Sequence, residues 1–197
     1  MSRYFFYDLF FSMFAREPSD EIIDAWRKGL TAVCDVQPDG AIGQAAANIL
    51  DLLQAEEAND SVRSEFLRLF WHPAGPAVSP LASTYVDGKP FGQYLVRLRT
   101  FLEKTPFRKC EDYTETEDSL AFHLDLMRSM IVEENENDCP QVKEQWHALQ
   151  RELMNDYMRE WIALPFAQLE KRDTEPFYQR VAVLTQLYFQ AEKDFLL

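Results

Sequence analysis

The residues that could perform acid–base, nucleophilic or metal chemistry are few and scattered along this chain. It contains three histidines and three cysteines, and none of them lies at a spacing typical of a metal site. We expect each histidine at the surface or at its boundary with the core. Neighbouring carboxylates such as Glu117 and Asp118 could exchange protons only in a pocket that shifts their pKa. Phosphate-loop, dinucleotide-binding and zinc-protease motifs are absent, so the sequence predicts no catalytic site, no metal and no cofactor.

The residue types favour a recognition surface instead. A helical pattern with Phe66 and Leu69 runs into a segment, from Trp71 to Val86, that has no charged residue unless His72 is protonated. The prolines and the glycine in this segment exclude a continuous helix or a central strand. Because loops lie on the surface and tend to carry function, this uncharged loop predicts either a plug in the core or a docking surface.

The charge balance restricts the partners that such a surface could bind. Twenty basic against thirty-three acidic residues give a formal net charge of −13. This charge argues against nucleic acid or an anionic membrane surface as the main partner, and it suits a basic peptide. The alternative interpretation is that the surplus of acidic residues only keeps the protein in solution.

The fold class follows from the hydrophobic periodicity. A period near 3.6 residues recurs along almost the whole chain and predicts an all-α protein of eight or nine helices. With 197 residues and no Gly/Ser-rich linker, we expect a single compact domain around one shared core. The charged stretch 104–115 is a candidate hinge, the alternative being an ordinary loop between helices. We therefore expect a monomer, or a dimer that swaps domains at this hinge.

Local signals predict where several helices begin and end. Ser19, followed by acidic residues, is expected to cap the second helix. Thr114 and Glu117 match a Thr-x-x-Glu capping box and predict a helix start there. Pro165 is expected to kink or end a long helix. The apolar stripe of the fifth helix is expected to contain Phe91, Leu95, Leu98 and Leu102.

The termini and cysteines indicate the compartment. The apolar N-terminal segment carries Asp8, has only Arg3 before it and lacks a small-residue cleavage site, so we expect a core helix rather than a signal peptide. No apolar run approaches the roughly 18 residues needed to cross a bilayer. Cys34, Cys110 and Cys139 are isolated and predict reduced thiols. We therefore expect a cytoplasmic protein.

Three segments of the sequence carry recognisable motifs. Residues 65–70 and the proline-rich run 73–85 are similar to a Tyr/Phe-x-Arg-Leu-Phe helix that leads through a Gly-Pro loop to Pro-Pro-Tyr-Glu-Ser-x-Tyr. Residues 115–119 are similar to a Glu-Pro-x-Asp-His motif at a helix start, and residues 175–185 resemble the last helix of the same family. In these features the sequence resembles the TorD/DmsD family of redox-enzyme maturation chaperones over most of its length.

The sequence departs from the family pattern at four positions. Thr116 stands where the family has proline, and Ser119 stands where it has histidine, so a role of that histidine ring does not carry over. Leu81 and Ala82 replace the usual aromatic and acidic residues, whereas Asp118 is kept. These departures imply a divergent member of the family with its own client enzyme.

The resemblance implies an all-helical cytoplasmic chaperone without catalytic activity. Such a protein holds the twin-arginine leader of a molybdopterin oxidoreductase, and sometimes the folded body of that enzyme, until the cofactor is inserted and export proceeds. Because the leader joins a basic segment to an apolar stretch, we expect an apolar groove beside acidic residues. The expected peptide-binding residues are Phe66, Leu69, Phe70, Trp71, Pro80, Leu81, Ser83, Tyr85, Glu115, Glu117, Asp118 and Ser119.

Other interpretations of these residues are open at this point. Phe66 and Leu69 could simply pack in the core, and Asp118 could only stabilise a helix N-terminus. At the level of function, the alternatives are a structural partner subunit of a respiratory complex and a small acid–base hydrolase built on an acidic helical cleft. Guanine-nucleotide binding, which occurs in the family, has no support in this sequence because the phosphate loop is absent.

Overall fold

The computed structural model describes residues 2–110 and 115–196, and within these ranges the chain forms ten α-helices and one π-helical segment, Leu153–Met158. The α-helices are α1 (Arg3–Phe14), α2 (Asp20–Val36), α3 (Ala41–Leu53), α4 (Ala58–Phe70), α5 (Ala82–Val86), α6 (Gln93–Leu102), α7 (Leu120–Glu136), α8 (Pro140–Glu152), α9 (Ala163–Leu169) and α10 (Pro176–Leu196). The predicted all-α fold is confirmed. The short helix α5 lies in the segment that was expected to be a loop. The short helix α9 lies around Pro165, where a longer helix was expected to kink or end.

The core is built largely from aromatic side chains on the first and last helices. The Phe6 ring of α1 stacks on Tyr188 of α10 with 4.6 Å between centroids, and Phe10 packs against Phe189. Each such buried side chain contributes about 1.5–3 kcal/mol relative to exposure. The termini are therefore joined through one continuous core. In the described part of the chain, no helix combines the length and the apolar character needed to cross a bilayer.

A buried carboxylate joins α4 to the start of α10. Glu65 accepts hydrogen bonds from the backbone N–H groups of Phe177 and Tyr178, each at 3.1 Å at its shortest. These groups have no partner inside α10, so a side chain from another helix supplies the cap. Burial raises the pKa of Glu65 despite these hydrogen bonds. The contact fixes α4, and with it the loop that follows α4, on the C-terminal helix.

The predicted helix starts are correct at α2 and wrong at α7. The Ser19 side chain accepts the Ile22 N–H at 3.4 Å and caps α2, as expected. The α7 helix begins at Leu120 rather than at the Thr-x-x-Glu motif, because Ser119 is the capping residue. Thr114 lies outside the described residues.

Pro165 does not end the long helix that the sequence predicted. The α8 helix passes at residue 153 into the π-helical segment, in which the Arg159 N–H donates to the Met154 carbonyl five residues earlier at 2.8 Å. Pro165 instead lies in the first turn of α9, where a missing N–H costs no helical hydrogen bond. The regular α-helix therefore ends at Glu152, well before the proline.

The described part of the candidate hinge is bonded to its surroundings. Lys104 pairs with Glu152 of α8 at 2.5 Å, and the Phe107 ring lies 5.6 Å from that of Trp146. Arg108 donates to nearby carbonyl groups, including that of Thr105 at 2.7 Å. Residues 111–114 of the stretch lie outside the described residues. The hinge and the domain-swapped dimer therefore stay predictions.

Candidate functional site

An open groove of about 680 Å³ lies between the end of α4, the loop that follows it and the segment before α7. This volume falls within the range of about 300–1,000 Å³ that is typical of ligand sites. Its described lining is mostly apolar, and it contains one carboxylate. The lining residues are Phe70, Trp71, His72, Pro73, Pro76, Ser79, Pro80, Leu81, Thr84, Pro90, Phe91 and Glu115.

The loop after α4 forms a fixed wall of this groove. The backbone N–H groups of Ala77 and Val78 both donate to the Leu69 carbonyl, at 2.8 and 3.2 Å, and so fold the loop back onto the end of α4. Gly75 adopts a left-handed φ of 103° in the turn between them, a conformation that glycine adopts without steric cost. Val78 is buried in the core and anchors the loop. At Val78 the loop is therefore a plug in the core, whereas its role as a docking surface stays a prediction.

Backbone pairing joins the two motifs that the sequence placed in one site. The Ala82 N–H donates to the Asp118 carbonyl at 2.9 Å. The Leu120 N–H donates to the Pro80 carbonyl at 2.7 Å, which completes an isolated antiparallel bridge. The proline-rich loop and the start of α7 therefore form one unit, and the prediction that these distant segments meet agrees with the structure.

Asp118 is buried within this unit and does not face the groove. One of its carboxylate oxygens accepts the Ser83 N–H at 3.3 Å at the start of α5, and the other accepts the Thr116 hydroxyl at 2.5 Å. Ser83 and Ser119 are buried as well, and Ser119 accepts the Phe122 N–H as the cap of α7. The sequence expected all three as peptide contacts. The structure shows Asp118 bonded to the first turn of α5 and Ser119 capping α7. Ser119 also lines a small pocket beside the groove together with Trp71 and Glu115, so its role as a peptide contact stays a prediction.

The Glu117 carboxylate is already paired. Arg99 donates to both of its oxygens, at 3.1 Å from Nε and 2.9 Å from Nη2. Desolvation acts to raise the pKa of Glu117, but these hydrogen bonds and the Arg99 charge hold it below its ordinary value. A peptide arginine would have to displace Arg99 before it could bind here.

Glu115 is the acidic residue that borders the groove itself. Its side chain is half-buried, and burial raises its pKa, with a further contribution from the Asp118 charge. Lys109 donates to the Glu115 backbone carbonyl at 3.1 Å and not to the carboxylate. Among the described residues, no cationic side chain forms an ion pair with this carboxylate. Glu115 is therefore placed to receive a cation from a ligand.

The apolar residues expected in the site divide between core and groove. Phe66 and Leu69 are buried and pack in the core. The Phe70 ring packs against that of Tyr178, at 5.3 Å between centroids, and Phe70 also lines the groove. Trp71 is 58% exposed beside it. The Tyr85 hydroxyl donates to a loop carbonyl, that of Ser79, at 2.9 Å, and its side chain does not line the groove.

Sequence reasoning missed Phe91 as a groove residue. The helical stripe placed it in the core of the fifth helix, but α6 begins at Gln93 and Phe91 precedes it, 65% exposed. The signal that could have corrected the prediction is Gly92, together with Asp87, which accepts the Tyr94 N–H at 2.8 Å and caps α6. His72 also lines the groove and was expected at the surface, where it lies.

His123 is fully buried behind the start of α7, which contradicts its predicted surface position. Its Nδ1 lies 2.8 Å from the Ser119 carbonyl, and its Nε2 lies 2.7 Å from the Tyr94 hydroxyl, which also accepts the Trp161 indole N–H at 3.0 Å. Burial lowers the pKa of His123 to about 4. The imidazole is therefore neutral, and its hydrogen bonds join the start of α7 to Tyr94 of α6.

Comparison with known proteins relates this chain to one protein family. The model of the nitrate reductase delta subunit family matches residues 36–167 of this chain. The chaperone protein TorD of Aliivibrio salmonicida is 26% identical over 198 residues, which cover 94% of this chain and 90% of that protein. TorD of Aeromonas salmonicida is 24% identical over 197 residues, with 95% and 87% covered.

A solved structure supports the same assignment at the level of the fold. The crystal structure of a protein assigned as a redox enzyme maturation protein from Archaeoglobus fulgidus superposes with a TM-score of 0.54. The superposition covers 100% of this chain and 94% of that one at 14% identity, so this likeness shows the fold alone. With the family match and the TorD relatives, the chain belongs to the nitrate reductase delta subunit family and is a TorD-family redox enzyme maturation chaperone.

Proposed function

We propose that this chaperone binds the twin-arginine leader of a molybdopterin oxidoreductase in its groove, in the cytoplasm, before cofactor insertion and export. The observation that carries the proposal is an open apolar groove bordered by the half-buried carboxylate of Glu115, for which the described residues provide no ion-pair partner. A ligand that fits must present apolar side chains and a cation close together. Family membership supports the class of client, and the apolar, acid-bordered groove supports the leader as the part of the client that is bound.

Apart from Tyr85 and Glu117, the residues expected in the peptide site divide by their placement into two sets. The rim is the set of expected residues that line the groove, and the framework is the set that is buried and holds the rim in place. The rim consists of Phe70, Trp71, Pro80, Leu81 and Glu115. The framework consists of Phe66, Leu69, Ser83, Asp118 and Ser119.

The energetics of such a contact suit a carrier that must later release its cargo. Each leucine of a leader that becomes buried on the rim contributes about 1.5–3 kcal/mol, but ordering a flexible peptide offsets much of this gain. We expect an affinity near the micromolar range, on the order of −8 kcal/mol. The formal net charge of −13 adds a long-range attraction for a basic leader that salt screens.

Calorimetric titration with a synthetic leader, two adjacent arginines followed by a leucine-rich stretch, tests the proposal. We expect Trp71→Ala to weaken binding about tenfold while the protein keeps its cooperative melt, because Trp71 is mostly exposed. Phe195→Ala is the matched control, since Phe195 is an aromatic residue of 57% exposure that packs on Arg3, away from the groove lining. Equal affinities of Trp71→Ala and the wild type would contradict the proposal.

Two altered peptides separate the contributions of charge and apolar surface. Replacing both arginines by glutamine should weaken binding modestly, because an exposed ion pair contributes about 1 kcal/mol or less. Replacing the leucines by serine should weaken it much more. A leader that binds equally well after the leucines are removed would place the recognition outside the apolar groove.

A second function class has one observation in its favour. The matching family is described as a nitrate reductase delta subunit, which fits a structural partner subunit of a respiratory complex. Stoichiometric co-purification with a mature, cofactor-loaded enzyme would favour that role over a transient chaperone. A hydrolase that works with a pair of carboxylates needs a second one beside Glu115, and the described groove lining contains no other carboxylate.

A further inference from the structure

Phe91 combines two unfavourable features at the edge of the groove. Its φ is 58°, and it is the only non-glycine residue with a positive φ among the residues that the structure describes. A bulky L-residue adopts this left-handed conformation at a steric cost. The side chain is also 65% exposed although it is a large apolar ring. Neither feature helps the fold, so the position calls for a functional reason.

The surrounding residues hold Phe91 in this conformation. Its N–H donates to the buried Ser83 Oγ at 3.0 Å, which connects it to the framework. Asp87 caps α6 through the Tyr94 N–H at 2.8 Å, on the other side of Phe91. The lack of a side chain at Gly92 permits this arrangement, because a Cβ there would lie 2.1 Å from the Asp87 Oδ2. The backbone at Phe91 is thus fixed from both sides.

An exposed aromatic ring on a fixed backbone is suited to select apolar ligands. Phe91 and Trp71 are the aromatic residues of the groove lining that are mostly exposed, and Phe91 lies outside the segments that resemble family motifs. Because the backbone is already ordered, the ring can contact a ligand with little further loss of conformational entropy. We propose that Phe91 is a specificity-determining residue that selects large apolar side chains in the bound peptide. This inference rests on the proposed function of the groove.

The substitution Phe91→Gly separates a structural role of Phe91 from a role in ligand selection. Glycine adopts a left-handed φ without steric cost, and the exposed ring contributes little burial. Phe91→Gly should therefore leave the melting temperature unchanged or raise it. If the ring serves ligand selection, the same substitution should weaken peptide binding. Stability and affinity thus change in different directions, which a core residue would not show.

The experiment measures the affinity of full-length variants for two synthetic peptides by calorimetry. Both peptides carry two adjacent arginines, followed in one by leucines and in the other by alanines. We expect Phe91→Gly to lose about tenfold in affinity for the leucine peptide and less than about twofold for the alanine peptide. Phe91→Asn should behave in the same way, because asparagine tolerates a left-handed φ better than other non-glycine residues. Val96→Asn is the control, since Val96 is 57% exposed on α6 but does not line the groove.

Each outcome bears on one of the two proposals. If Trp71→Ala weakens leucine-peptide binding and Phe91→Gly does not, the role of Phe91 is overturned and the proposed function stands. Equal losses for both peptides, or a loss with glycine but not with asparagine, also overturn selection by the ring. A wild-type protein that binds neither peptide overturns the proposed function, and the role of Phe91 with it.

Discussion

The rim and the framework are made of the same residue types at nearly adjacent positions, yet they have opposite surroundings. Leu69 is buried in the core, and Trp71, two residues later, is 58% exposed over the groove. Asp118 is buried with both carboxylate oxygens bonded, and Glu115, three residues earlier, borders the groove without an ion-pair partner among the described residues. An apolar or acidic residue in these motifs therefore has no fixed role until its backbone surroundings are known.

The polar residues of the framework satisfy backbone groups at the starts of two helices beside the groove. A helix of five residues such as α5 has few internal hydrogen bonds and would not form in isolation. Asp118 supplies a partner for the Ser83 N–H at its start, and Ser119 caps the neighbouring α7. Polar residues that would serve recognition elsewhere are thus used here to hold the rim rigid.

The largest difference that we expect between the two sets is in stability. Leu69→Ala should lower the free energy of unfolding by about 2–5 kcal/mol, because it leaves a cavity in the core. Trp71→Ala should lower it by less than about 1 kcal/mol, since its side chain is mostly exposed. Urea denaturation of both variants measures the difference. Similar losses for the two would mean that Trp71 is part of the core and that the division is wrong.

The buried His123 should make the stability of the protein depend on pH. Burial lowers its pKa from 6.5 to about 4 in the folded protein. Between these values the unfolded chain binds a proton that the folded chain does not, so stability falls as the pH falls from 6.5 towards 4, by about 3 kcal/mol in total. Thermal unfolding over this range should show a shallower pH dependence for His123→Gln than for the wild type. Identical slopes would show that the imidazole is not buried in its neutral form.

The third prediction concerns Asp118, the residue of the framework that carries a carboxylate. Asp118→Ala should lower the free energy of unfolding by about 1–3 kcal/mol, because the buried Ser83 N–H loses its acceptor. Urea denaturation measures the loss, and Glu115→Ala, three residues away on the rim, is the matched control. If leader affinity fell for Asp118→Ala while its stability stayed at the wild-type value, Asp118 would belong to the rim.

The features that the sequence predicted well are those decided within a few residues. The helical period and the Ser19 cap depend on neighbours along the chain, and both are correct. The start of α7 is different, because Glu117 bonds to Arg99 and Asp118 accepts a hydrogen bond from Ser83 in the first turn of α5. These long-range contacts override a local capping motif, and nothing in the motif itself indicates them.

The sequence indicated that two distant motifs lie together, but it did not indicate which of their side chains face the groove. The loop after α4 and the start of α7 do meet, as the motifs indicated. A single sequence does not distinguish Leu69 from Trp71, because both continue an apolar run and only tertiary packing buries one of them. Phe91 fitted the helical stripe by its spacing, yet the Asp87 cap and Gly92 begin α6 after it.

The smallest expected effect is the loss of leader affinity caused by Glu115→Gln. It is also the effect that most directly tests a rim residue. Glu115→Gln should weaken binding of the arginine-containing leader by no more than about 1 kcal/mol, or roughly fivefold, because the carboxylate is partly solvated. Its stability should be unchanged or slightly higher, since burial raises the pKa of this group and disfavours its charge in the folded protein.

The pH dependence of binding provides the sharper test of Glu115. A carboxylate attracts arginine only when it is ionised, so wild-type affinity should fall as the pH is lowered through the raised pKa of Glu115. Calorimetric titrations from neutral to mildly acidic pH should show this fall in the wild type and much less of it in Glu115→Gln. With a leader whose arginines are replaced by glutamine, the two proteins should not differ. A pH dependence that survives Glu115→Gln would show that Glu115 does not control the cation contact, and Glu117, the other carboxylate near the start of α7 that binds an arginine, would be tested next.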